Sequence, residues 1–108
     1  MIFHITEQSI WSAAQSSGDY RAPSLETEGF IHLSERSQVL WVASQFYAQT
    51  SGLLLLGIEP AQLAAELRYD TVPGHGTFPH LYGPLNLDAV VQVWPFEPQA
   101  NGHFVMPS

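Results

Sequence analysis

The sequence predicts a mixed α+β domain in which two helices pack on one strongly twisted sheet of about five or six strands. Three observations carry that expectation. Two stretches place apolar side chains at helical spacing: Ile10, Trp11 and Ala14, then Val39, Leu40, Ala43, Phe46 and Tyr47. Several short runs alternate apolar and polar residues, as half-buried strands do, while Leu53–Ile58 is almost unbroken apolar. The chain has 108 residues, 45% hydrophobic and 12% charged, which suits a single domain over residues 1–108 with one real core and argues against disorder.

In chain order, Met1–Thr6 opens as a strand buried on its Phe3 face. Thr6 is placed to cap a helix from about Glu7 to Ser16, with Gly18 as its stop. A loop at Asp19–Pro23 leads through Ser24–Glu28 to Gly29 and a strand, Phe30–Ser34. That strand sets Phe30, His32 and Ser34 on one face and Ile31 and Leu33 on the other. A longer helix follows, roughly Ser37–Gln49, capped by Ser34 or Ser37, with Trp41 off its apolar stripe. Leu53–Ile58 reads as a central strand covered on both faces. Pro60 opens a short helix to about Ala65, and Leu67–Val72 is a further strand. Pro73–Thr77 reads as a flexible flap. Phe78–Leu85 contains Pro79 and Pro84, which argues against an ordinary central strand, because proline donates no ladder bond. Ala89–Trp94 is the next strand, and Gly102–Val105 a short last one.

Charge excludes whole classes of partner. Ten acidic residues face three basic ones, Arg21, Arg36 and Arg68, with no lysine, for a net charge of −7. Such a chain cannot assemble the basic patch that nucleic acid or an anionic membrane requires. With no cysteine, disulfides, thiolate metal sites and cysteine nucleophiles are excluded. The N-terminus carries no signal-peptide pattern and no apolar run spans a membrane, so a cytoplasmic location is expected.

Polar chemistry concentrates in three places. His4 precedes Thr6, His32 precedes Ser34 and His80 precedes Tyr82, each by two residues. In an extended segment each pair shares a face, so three imidazoles and three hydroxyls can meet in one pocket. Imidazole donates, accepts or shuttles a proton near neutrality. No HxH or HExxH spacing occurs, and no metal site is expected. Ser34 lacks a nucleophile-elbow sequence, so helix capping is the preferred role for its hydroxyl. Asp70, ending a strand before the loop, is the carboxylate nominated to serve the histidines, with Glu28 second.

The segments Phe3–Thr6, Glu28–Ser34 and Phe78–Leu85 together resemble a bacterial family catalogued as domain of unknown function 952, over Met1 to about Val93. That family is similar in architecture to the ADP-ribosyltransferases. The resemblance implies an ADP-ribosyltransferase-like twisted, split mixed sheet with two main helices packed against it, and NAD or a related nucleotide as the small-molecule ligand. It implies that His4 binds the ribose, that Ser34 ends a signature strand, and that Tyr47 or Tyr82 stacks on the nicotinamide. The reaction it implies is transfer or hydrolysis at the nicotinamide ribose. The expected site is therefore His32, His80 and Asp70 as catalytic residues, with His4, Ser34, Tyr82 and Tyr47 binding the ligand. Phe78–Leu85 holds no acidic residue where such enzymes carry their glutamate. The alternative is a non-catalytic small-molecule-binding domain that has lost the acid. A carboxylate within reach of the histidines separates the two.

Overall fold

The structure, a computed structural model, describes residues 1–107. Strand β1 is Ile2–Glu7 and helix α1 is Gln8–Ser17, ended at Gly18 by a left-handed cap whose N–H returns to the Ala14 carbonyl. Strand β2, Asp19–Tyr20, is followed by α2, Pro23–Glu28. The expected loop at Asp19–Pro23 begins with β2, and no element was expected at Ser24–Glu28, where α2 lies. Pro23 occupies its first turn, and Gly29 (φ 89°) closes it with N–H bonds to Ser24 and Leu25. Strand β3 is Ile31–His32.

Helix α3, Val39–Phe46, is shorter than the sequence indicated and is preceded by a 3-10 turn at Arg36–Gln38. Neither Ser34 nor Ser37 caps this segment. Glu35 and Gln38 form a reciprocal capping box, with the Glu35 N–H donating to Gln38 Oε1 at 2.9 Å. The helix cannot run to Gln49, because that residue sits at φ 60°, in the left-handed region. Thr6 does not cap α1 either; its hydroxyl meets Tyr20 instead.

Strand β4 is Leu53–Ile58, β5 is Glu66–Val72, β6 is Gly76–Tyr82, β7 is Leu85–Asn86 and β8 is Val90–Pro95. Pro60 opens only a 3-10 turn, Pro60–Gln62. The tail beyond β8 forms no strand. It packs Phe104 on Phe96, ring centroids 4.8 Å apart. Among the described residues, no helix is long and apolar enough to cross a membrane.

The strands order as β1–β4–β8, β3–β6–β5 and β2–β7, and every pairing is antiparallel, so the sheet is not mixed. β4 is central, as its pattern requires: Leu55 and Leu56 point to opposite faces and both are 0% exposed. On one face Leu56, Ile58 and Ile2 pack with Ala14 of α1 and with Tyr20. On the other, Phe3, Ile5 and Leu55 pack with Val39 and Ala43 of α3. The two helices thus cover opposite faces of the same strands. Each fully buried large aliphatic side chain contributes about 1.5–3 kcal/mol through this burial.

Pro79 does lie in a central strand, β6, and it shapes the seam between the sheets. The register continues from His32↔His80 to Leu33 opposite Pro79. The Leu33 N–H donates to the Pro79 carbonyl at 3.0 Å, but proline has no N–H to return, and β3 ends there. The chain then crosses to β1, where Phe3 and Ser34 exchange two backbone bonds of 2.8 Å. The sheets part at this point, and the flank of α3 overhangs the gap.

Candidate functional site

A cleft of about 550 Å³ occupies that gap. One wall is the polar face of β3 and β6 with His32, Ser34, Phe78 and His80; the other is α3 with Trp41, Val42 and Phe46, continuing to Tyr47. The face follows from the pleat. Ile31, Leu33 and Leu81 point into the core at 0–2% exposure, so His32, Ser34 and His80 must point the other way.

His80 is the best-supported side chain in the cleft. It is 5% exposed, its ring stacks on Phe30 at 4.1 Å, and its Nδ1 lies 2.8 Å from Asp70 Oδ2. The contact is a consequence of register: Arg68 faces His80 and Asp70 faces Phe78, so Asp70 is diagonal to His80 on one face. Tyr82 donates its hydroxyl to the same Asp70 oxygen. First the Tyr82 hydroxyl and then His80 hold the Asp70 carboxyl below its ordinary range, and the same contact raises the Tyr82 phenol. Arg68 lies over the Tyr82 ring at 4.6 Å and pairs with Glu66. No protein group among the described residues bonds His80 Nε2 or the Ser34 hydroxyl, and no buried side-chain N or O atom there lacks a partner. Both atoms are therefore open, and both residues line the cleft.

His32 is a second imidazole with a carboxylate. Its Nε2 lies 3.1 Å from Glu28 Oε2, about half of each side chain is exposed, and its ring sits edge-on to His80 at 5.3 Å. His4 is different. Its Nδ1 is 2.6 Å from the His32 carbonyl, which only accepts, so Nδ1 carries the proton. Burial lowers its pKa to about 4, so the ring is neutral and Nε2 accepts from the Tyr20 hydroxyl at 2.7 Å. Thr6 lies 2.9 Å behind Tyr20 and completes the chain as donor to its oxygen. Both His4 nitrogens are engaged inside the protein, which leaves it bordering the cleft as a brace between β1 and β3.

The model of a family described as "Protein of unknown function (DUF952)" matches residues 5–93. The chain belongs to this family. The DUF952 chain is also similar to the crystal structure of protein CC0527 from Caulobacter crescentus, with 30% identity over 96% of this chain and 92% of that one, at a TM-score of 0.88. The solution NMR structure of CC0527 matches at a TM-score of 0.82, 30% identity and coverage of 94% and 89%. No match is found among curated proteins.

Of the residues expected in the site, His4, His32, Ser34, His80 and Tyr47 line one cleft, and Asp70 backs it through His80. Burial raises the half-buried Tyr47 phenol. Tyr82 stands behind the cleft, on Asp70 rather than among its lining residues. Gly74 sits at φ 81° after Pro73 in a turn closed by the His75 N–H and the Val72 carbonyl. This loop tips a β-hairpin, and its His75 ring lies 4.5 Å from Trp41. Trp41 and Phe46 were not expected in the site. Phe46, assigned to the buried stripe, is 70% exposed. Trp41 did carry a signal, a large aromatic off the stripe of an amphipathic helix.

Proposed function

We propose that the cleft binds a nucleotide or dinucleotide of the NAD type and that the Asp70–His80 pair makes the protein an enzyme acting at the nicotinamide ribose, by hydrolysis or transfer. The observation that carries this reading is the 2.8 Å contact between Asp70 and His80, with His80 Nε2 left open to the cleft. A carboxylate in reach of the histidines is what a purely binding domain would lack. The volume, about 550 Å³, falls within the range of small-molecule sites, and aromatic walls suit a flat ring. The antiparallel sheets that part at Pro79 with a cleft at their seam support reading the fold as ADP-ribosyltransferase-like.

In the neutral form Asp70 fixes the proton on His80 Nδ1, so Nε2 presents a lone pair. A water or acceptor hydroxyl gives its proton to Nε2 as its oxygen bonds to the ribose C1′. The C1′–N bond breaks, its electron pair leaves with nicotinamide, and Asp70 stabilises the imidazolium. A positioned general base of this kind contributes about 10²–10⁴-fold.

Thermal unfolding with NAD and with ADP-ribose tests the binding. At 100 times the dissociation constant a ligand adds about 2.7 kcal/mol, easily resolved in a domain of this size. A melting point unmoved by both compounds would remove the reading.

A further inference from the structure

The charges around the cleft specify its ligand further than the shape does. The chain has no lysine, and none of its three arginines lines the cleft. Arg21 pairs with Asp19, Arg68 with Glu66, and Arg36 reaches the Pro107 carbonyl at 3.4 Å. The anionic groups do approach it: Glu28 is on its wall and Asp70 behind His80. A phosphate placed inside would meet no permanent cation and no guanidinium fork. His4, held neutral by burial, offers it nothing. Meanwhile Trp41, Phe46 and Phe78 line the cleft, with the Trp41 ring 6.2 Å from Phe46 and 6.1 Å from Phe78. Aromatic faces attract cations, and the charged side chains nearest the histidine wall, Glu28 and Asp70, are anionic.

We infer that the cleft selects a flat heteroaromatic cation, an N-alkylpyridinium being the simplest, and that any phosphate of the ligand stays at the rim. The inference rests on the cleft being the binding site proposed above. Applied to NAD, the positively charged pyridinium end enters and the diphosphate remains in solvent.

The test compares 1-methylnicotinamide, a cation, with nicotinamide, its neutral counterpart of nearly the same shape, by NMR titration of the intact protein. The cation binds about five- to thirtyfold more tightly, the range that a cation–π contact supplies. Trp41→Leu, at a position 36% exposed and so safe for the fold, reduces that preference to near parity. Equal affinities, a preference for nicotinamide, or no binding of either compound overturns the inference. ADP-ribose, which lacks the ring, reports separately on the nucleotide reading. If it binds without a cation preference, the nucleotide site stands and this inference fails; a cation preference without ADP-ribose binding gives the reverse.

Discussion

Between about pH 6.5 and about pH 4 the fold loses on the order of 3 kcal/mol through one residue, His4. The sign follows from its surroundings. Burial depresses the folded pKa to about 4, while an unfolded histidine titrates near its ordinary 6.5. In that interval the unfolded chain binds the proton and the native one does not. Stability is therefore complete above about 6.5 and declines as the pH falls toward about 4. Protonating His4 places a charge in the core, where burial penalises it, although Nε2–H can then donate to Tyr20 and Tyr20 to Thr6. Urea unfolding across this range, in the native protein and in His4→Gln, isolates the effect. Glutamine can still donate to the His32 carbonyl and accept from Tyr20 but cannot titrate. The carboxylates contribute to both proteins alike, so the native curve falls more steeply. Parallel curves would remove His4 from the acid response.

Asp70→Asn has the largest expected effect on the proposed activity, a loss of about 10²–10⁴-fold in nicotinamide release with little change in folding. Tyr82 and His80 share one Asp70 oxygen, so an asparagine carbonyl in its place still accepts from both. It carries no charge, however, and so does not stabilise the imidazolium that His80 becomes as it takes the proton. The side chain is at the surface end of the pair, about a third exposed, so the substitution leaves the core untouched. Tyr82→Phe has a smaller effect, because it removes a group that holds Asp70 rather than the one that holds His80. Unchanged turnover in Asp70→Asn would exclude His80 as a base oriented by this carboxylate.

The parts of the architecture written in alternation were legible from the chain. β1, β4 and the Phe30–Ser34 segment lie where period-two patterns and an apolar run placed them, and the two faces of β3 are divided as expected. Elements governed by a single exception to a rule were not. Pro79 argued against a central strand, yet its missing N–H falls opposite Leu33, where the chain is already leaving for β1. Glu35 and Gln38 took the capping role that serine propensity had given to Ser34 and Ser37, and so left the Ser34 hydroxyl free in the cleft. In the site, residue type and spacing gathered His32, Ser34 and His80 and nominated Asp70, and strand register sets Asp70 diagonal to His80. What spacing could not disclose is that His4, chemically identical to the others, spends both nitrogens on its own fold. That difference lies in tertiary partners, a backbone carbonyl 28 residues away and a tyrosine 16 residues away.

The most direct test of the account is a titration of the isotopically labelled protein with NAD, followed by NMR. The proposed site predicts that the shifts concentrate on His32, Ser34, Trp41, Phe46 and His80, around the seam between β3–β6 and α3. His4, sealed by its two internal bonds, moves little. An unperturbed spectrum at millimolar NAD, or shifts gathered on another face of the molecule, would contradict the assignment of this cleft as a nucleotide site.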